Sequence, residues 1–371
     1  MAKKKTKEEE VLKNAEKATK EAEKTIKSVE DKARDVVFSA IKKKYGNVMA
    51  PLSAGTGNIK TVSTGSLGLD MALGRGGMAF GRIYEVFGPN SGGKSTLAVH
   101  VVIQAQRRGL KCAYIDAEQA VDYKLFENYG VDSQELDLIQ AYGGEPNLDI
   151  CESLIRTGLY SVIVVDSVSA LIPKAEAEAD MDKDQMALQA RLMSKALRKI
   201  TPQAADHGTL IIFVNQLRMK VGGYGNPETT SGGEALGFWA TGRISVRGPE
   251  AKSRRLVDAA GVTYGHKSEF EIVKNKLGEP FKKTSLDLIY GKGYDIYSEV
   301  LDLAVSLDIV EKNGSWFSYN EKKLAQGTIN SIETLKQNSD LFKEIRESII
   351  DTVGLKEPYE LHSNPGPLYS S

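Results

Sequence analysis

The sequence predicts an α/β fold with a mainly parallel central sheet covered by helices on both faces. Three observations carry that prediction. Runs such as "SVIVVDS" and "TLIIFVNQ" are continuously apolar rather than alternating, the pattern of strands buried on both sides. Helix-like stretches separate these runs between Gly81 and Gln216, the order expected of a parallel sheet with helical crossovers. The pattern GxxxxGK(S/T) occurs as "GPNSGGKS", Gly88 to Ser95, between a strand-like and a helix-like run, the context in which it has a mechanism.

Each element follows in order. Thr6 to about Lys44 is rich in Glu, Lys and Ala and has no Gly or Pro, which predicts a helix. Its first half has a sparse apolar stripe, readable as a solvated helix or a partner-binding one. Its second half, "VVFSAIKKKYG", offers a docking face at Val36, Val37, Ala40 and Ile41. "GNVMAPLSAGTGN" reads as a linker. Residues 55–295 form the expected core, in which "GRIYEVFG", "CAYIDA", "DLIQAY", "SVIVVDS" and "TLIIFVNQ" are strands. "RISVRG", "SEFEIVKNK" and "KTSLDLIYGKG" are expected to add strands by antiparallel pairing. Residues 296–355 read as a small α+β domain, with a hairpin at "GSWFSYN". Residues 1–54 are assigned to the terminal helix and linker, and residues 356–371 to a disordered tail.

Composition narrows the function classes. The chain has 371 residues, 41% hydrophobic and 26% charged, with zero formal net charge. No apolar run has the length of a membrane span, and the opening "MAKKKTKEEE" lacks the apolar core of a secretory signal. A cytoplasmic location is expected. Cys112 and Cys151 share no metal or redox spacing, and four scattered histidines argue against a metal site or a His-based triad. Charge is unevenly spread: residues 1–45 hold 14 Lys and Arg against nine Asp and Glu. Neutrality overall therefore leaves room for a local nucleic-acid face.

The phosphate loop contains Gly88, Pro89, Asn90, Ser91, Gly92, Gly93, Lys94 and Ser95, with Thr96 in the following turn. Its backbone N–H groups and the helix N-terminus would surround phosphate oxygens. Lys94 would reach the outer phosphates and Ser95 would hold Mg²⁺. Three further strands end in Asp116 and Glu118, in Asp166 and Ser167, and in Asn215 and Gln216. Ligands of such sheets sit beyond the carboxyl ends of the strands, so all six groups are expected to converge on one nucleotide. Asp166 is the expected Mg²⁺-water ligand, although a strand-end aspartate also serves as a turn cap. Glu118 is the expected general base, and Gln216 a sensor of the terminal phosphate.

"STGSLGLDMALGRGGMAFGRIYEVFGPNSGGKSTL", "YIDAEQAVD", "VIVVDSVSALIPKAE", "FVNQLRMK", "GNPETTSGG", "IVKNK" and "GSWFSYN" resemble, in order, the bacterial RecA recombinases. The resemblance runs from about Val36 to Leu341. It implies a RecA-like P-loop ATPase core that binds ATP and Mg and assembles as a homo-oligomeric helical filament. Its implied partners are single- and double-stranded DNA, with single-strand-binding and mediator proteins as further ones and no membrane. It gives Glu118, Lys94 and Gln216 catalytic roles, with Asp166 as the Walker B aspartate. It assigns Asp122 and Tyr290 to the adenine; where the family usually has a stacking aromatic, this chain has Leu125. Lys274 and Lys276 would reach a neighbouring subunit's nucleotide, and Phe238 and Arg243 would lie at that interface. The first DNA loop, "EAEADMDKDQM", would contribute Met186, followed on one helix face by Arg191, Ser194 and Arg198. The second, read as a loop from Leu217 to Ser231, would contribute Arg218, Met219, Lys220 and Val221, with bare backbone at Gly232 and Gly233. Two other readings remain open on these residues: a RecA-fold helicase or motor, and an ATP-gated regulatory DNA filament.

Overall fold

The computed structural model describes residues 2–45, 59–179, 186–219, 228–249 and 252–355. The chain divides into two units, Met1–Ile59 and Lys60–Ser371. In the first, one helix spans Ala2–Tyr45 and ends in Lys42, Lys43 and Lys44, cations that suit the negative end of the helix dipole. Ile26, Val29, Val36 and Val37 are all exposed on it. The expected linker and the tail from residue 356 lie outside the described residues.

The second unit is built on a sheet of eleven strands. A separate two-stranded pair, β1 (Thr61–Val62) and β2 (Met78–Ala79), precedes it. The sheet then takes β3 (Ile83–Gly88), β4 (Cys112–Asp116), β5 (Leu136–Ile139), β6 (Val162–Asp166) and β7 (Leu210–Met219). It continues with β8 (Glu228–Thr230), β9 (Gly242–Arg247), β10 (Arg255–Val257), β11 (Thr263–Asn275), β12 (Lys283–Ile289) and β13 (Gly293–Tyr294). The main path runs β13-β12-β11-β9-β3-β7-β6-β4-β5, with β10 on β11 and β8 on β7.

The parallel centre agrees with the continuous apolar runs, since β3, β4 and β6 are buried along their whole length. One sequence expectation holds in part and another needs correction. β9 pairs antiparallel with β11 as expected, but its other neighbour is β3, with which it pairs parallel. Leu217, Arg218 and Met219 are not loop: they extend β7 and pair with Thr230, Thr229 and Glu228 of β8. The backbone is hydrogen-bonded there as a two-stranded ribbon. Register places Gly88 opposite Gln216 and Asp116 opposite Asp166, so the strand ends form one rim.

The helix Lys94–Gln106 is buried along most of its length. On one side of the sheet Ile115, Val165, Met193, Leu197 and Phe213 share one core cluster. Among the described residues, no helix is long and apolar enough to cross a membrane.

At the C-terminal end, helices Ile296–Ser306, Thr328–Gln337 and Ser339–Val353 surround a three-stranded antiparallel sheet. Its strands are β14 (Glu311–Asn313), β15 (Trp316–Tyr319) and β16 (Lys322–Gln326). Val300, Leu301, Phe317, Leu335 and Ile349 form its core, together with Leu67 from the helix Leu67–Leu73. A buried carboxylate ties these parts together. Glu299 accepts from Ser66 Oγ at 2.5 Å, from Gly68 N at 2.8 Å and from Leu67 N at 3.2 Å.

Burial nevertheless raises the Glu299 carboxyl from 4.5 to about 7. The folded state then holds this proton more tightly than the unfolded chain. Its contribution to stability is full below pH 4.5 and is lost as pH rises through about 7. Buried His100 runs the other way, lowered by burial from 6.5 to about 3, so its contribution is lost as pH falls between those values. Comparing wild type with Glu299→Gln isolates the carboxylate. The stability advantage of wild type over the variant should shrink between about pH 5 and about pH 7.5 in denaturant titrations. A pH-independent difference would refute the assignment.

Candidate nucleotide and DNA site

The phosphate loop follows β3 directly. A Cβ at Gly88 would lie 2.0 Å from the Val246 carbonyl oxygen, so only glycine lets the loop leave the sheet beside β9. Gly93 has φ +101°, a left-handed value that glycine adopts without strain. Such a turn entering a helix aims successive N–H groups at one point. Lys94 is 8% exposed, and its Nζ donates to the Pro89 carbonyl at 2.6 Å. Burial lowers its pKa, while Asp166 and Glu118 oppose that shift. Thr96 is half-buried in the first turn of the helix Lys94–Gln106. Asn90, Ser91 and Ser95 are exposed on the loop.

Asp166 is 9% exposed and accepts from the Tyr114 hydroxyl at 2.6 Å. Burial raises its pKa, and hydrogen bonds from Ser95 and Tyr114 pull it back. Glu118 Oε1 accepts from Gln216 Nε2 at 3.0 Å and from the Ser167 hydroxyl. Glu118, Asp166, Ser167 and Gln216 thus gather beside Lys94 and Ser95 as the strand-end argument expects.

The other two strand-end groups do not. Asp116 is buried and accepts from Ala120 N, Val121 N and Gln140 Nε2, so it shapes its own loop. Asn215 turns into the sheet, donating to Glu85 Oε1 at 2.8 Å and to the Ser231 carbonyl at 3.0 Å. Alternation explains Asn215, since it and Gln216 are adjacent on β7 and face opposite sides. Glu118 lies two residues past Asp116, beyond the end of β4, where the chain has left the strand. Asp122 caps the helix Tyr123–Tyr129, accepting from Lys124 N and Leu125 N. Tyr290 is 48% exposed.

The two lysines of "IVKNK" meet at one place. Lys274 Nζ donates to the carbonyls of Gly237 and Phe238, and Lys276 Nζ to that of Phe238. Burial, then Lys276 and Arg243, lower the Lys274 pKa. Phe238 is 71% exposed beside them. Beside them Arg243 Nε pairs with Glu85 at 2.5 Å, and its guanidinium lies 4.7 Å from the Phe87 ring centroid. A fully buried carboxylate on β3 demands that charge.

Of the residues expected to meet DNA, Arg191 and Arg198 are exposed on the helix Met186–His207, and Ser194 is half-buried between them. Arg218 is exposed at the end of β7, its Nε 3.3 Å from Ser231 Oγ. Lys220 and Val221, the side chains of Met186 and Met219, and residues 180–185 of the first loop lie outside the described residues. Gly232 does not offer its N–H outward: the group donates to Gln189 Oε1 at 3.1 Å. Gly232 and Gly233 instead pack closely, with added Cβ atoms 2.8 Å from Val168 Cγ1 and Ala190 Cβ.

Comparison with known proteins agrees with this geometry. The family model for the RecA N-terminal domain matches residues 32–295, and that for the RecA C-terminal domain matches residues 298–354. The chain belongs to the RecA family. Proteins named Protein RecA from Bacillus thuringiensis (strain Al Hakam) and Bacillus anthracis are each 44% identical over 328 residues, 88% of this chain and 94% of theirs. Protein RecA from Syntrophus aciditrophicus (strain SB) is 42% identical over 338 residues, 90% of this chain and 97% of its own. Membership of the RecA family carries ATP-dependent recombinase function.

Within this RecA-family site, sequence reasoning misses three residues. Tyr114 holds Asp166, Glu85 holds Asn215 and Arg243, and Gln189 bridges Gly232 to the carbonyls of Val168 and Leu171. A lone glutamate inside the apolar run "RIYEVF" is a legible signal of a buried partner. Nothing local marks Tyr114 or Gln189.

Proposed function

We propose that this chain polymerises on single-stranded DNA in its ATP-bound form, pairs it with homologous duplex and exchanges strands, with hydrolysis driving release. The observation that carries this reading is the run Gln216 to Met219. Gln216 touches Glu118 at the phosphate site, and the next three residues form the β7–β8 ribbon leading to the second DNA loop. A change at Gln216 thus has a short mechanical route to Arg218 and the loop beyond.

The residues fit a magnesium nucleotide. The left-handed turn at Gly93 and the buried Lys94 suit phosphate, and the oxygens of Ser95 and Asp166 give a donor set with one carboxylate, which suits Mg²⁺ shared with phosphates. Bound ATP would supply the phosphoanhydride whose cleavage powers the cycle. Lys94 would bind and neutralise phosphate charge, and Ser95 and Asp166 would hold Mg²⁺, Asp166 through a water. Glu118 takes the proton of the attacking water at its carboxylate. Lys274 and Lys276, with Phe238, face outward to a second copy of the chain, where two cations would stabilise developing charge. The helix face at Val36, Val37, Ala40 and Ile41 is the proposed docking contact between copies. The cytoplasm is the proposed location.

A DNA strand-exchange assay tests the proposal. Wild type with ATP should convert homologous substrates to exchanged product, and Lys94→Ala should give none. Absence of exchange by wild type under every nucleotide condition would overturn it. Binding to single-stranded DNA without duplex pairing would support a regulatory filament instead.

A further inference from the structure

Strand β11 carries a buried polar run that no phosphate-loop motif requires. His266 is 2% exposed and Ser268 is fully buried. They are two residues apart, so both side chains leave the same face of the strand. Ser268 Oγ donates to the Gly92 carbonyl at 2.9 Å and lies 3.1 Å from His266 Nε2. His266 Nδ1 lies 3.3 Å from the hydroxyl of Tyr290, just past the end of β12.

The chemistry gives this chain a direction. Ser268 has one hydroxyl proton, and a carbonyl oxygen can only accept it. Ser268 Oγ must then accept from His266 Nε2–H. That tautomer leaves Nδ1 as an acceptor, filled by the Tyr290 hydroxyl. Donors therefore run from Tyr290 to His266, to Ser268 and to Gly92. The peptide after Gly92 is planar, so holding its carbonyl on one side points the Gly93 N–H to the other. Tyr294 hydroxyl holds the next carbonyl, that of Gly93, at 3.0 Å. The outer face of the phosphate loop is thus braced from β11 and β13. The far end of the brace is an aromatic ring that is half-exposed.

We propose that His266 is a positioning residue that couples a nucleobase seated on the Tyr290 ring to the phosphate-loop backbone at Gly92. The proposal rests on the nucleotide reading of the site and extends it to base sensing. A base that orders Tyr290 also orders the loop; a bare polyphosphate does not engage this route.

The test measures dissociation constants of the full chain for ATP and for inorganic tripolyphosphate, both with Mg²⁺. Tyr290→Phe and His266→Phe should each weaken ATP about fivefold, the scale of one lost hydrogen bond. The double variant should be no weaker than about fivefold, because both changes break one chain. Tripolyphosphate affinity should change by less than about twofold, so that the ATP-to-tripolyphosphate ratio falls. Additive losses, or equal losses for both ligands, would overturn the coupling and leave His266 with a packing role only. Tyr290→Phe, on a half-exposed ring, carries the test alone if His266→Phe lowers thermal stability. Tyr290→Ala with an unchanged ratio would remove the base from Tyr290 and sink the proposal while the phosphate reading stands. Failure of wild type to bind either ligand would instead overturn the nucleotide reading itself.

Discussion

Glu118→Gln is expected to slow ATP turnover by about 10²- to 10⁴-fold while leaving single-stranded DNA bound. The side chain sits where its carboxylate meets both the sensor and the phosphate site. Oε1 accepts from Gln216 Nε2 and from the Ser167 hydroxyl. Glutamine keeps the size and one oxygen acceptor, so it preserves the contact with Gln216, but it cannot take a proton from water at neutral pH. Binding and turnover should therefore separate. Phosphate release in the steady state, set beside DNA binding by fluorescence anisotropy, reads both. Turnover within about threefold of wild type would move the base elsewhere, and Asp166, buried beside Lys94, would be the next residue to test.

Glu85→Ala should cost about 3–5 kcal/mol of stability, because it strips a buried charge of its partner. Glu85 is fully buried at the centre of the sheet, paired with Arg243 at 2.5 Å and accepting from Asn215 at 2.8 Å. Its removal leaves a largely buried guanidinium without its carboxylate and frees an amide donor that helps hold Ser231. Glu85→Gln should cost less, since the amide oxygen still accepts from Asn215. Replacing Glu85 and Arg243 together by leucine should recover most of the loss. Urea titrations at unchanged slope measure each effect. A loss under about 1 kcal/mol for Glu85→Ala would mean that the pair is not a structural tie. The disturbance should also reach the nucleotide site, since Asn215 immediately precedes Gln216.

The chemistry of the phosphate loop was readable because it depends on contiguous residues. Glycines at Gly88 and Gly93, a lysine at Lys94 and a hydroxyl at Ser95 act within one turn, and their spacing is their geometry. The buried parallel strands were readable for a similar reason: continuous apolar runs report burial on both faces whatever the neighbours are. Strand direction was less readable. "RISVRG" carries no mark that it pairs parallel with β3 on one side and antiparallel with β11 on the other, and only long-range topology decides.

Side-chain direction at the strand ends marks the same boundary. Composition makes Asp116 and Glu118, or Asn215 and Gln216, equivalent candidates; pleating turns Asn215 away from Gln216, and the loop after β4 occupies Asp116 while Glu118 reaches the rim. The polar ties behind the site are further still from local pattern. Glu85 and Arg243 are 158 residues apart, and Ser268 and Gly92 are 176 apart. By itself the sequence determined the family, the parallel core and the groups able to handle a phosphate. The tertiary structure alone decided which of those groups face it and what holds them. Burial is written locally, as apolar run and period, whereas the partner of a buried polar atom is chosen by whichever distant element the fold lays beside it.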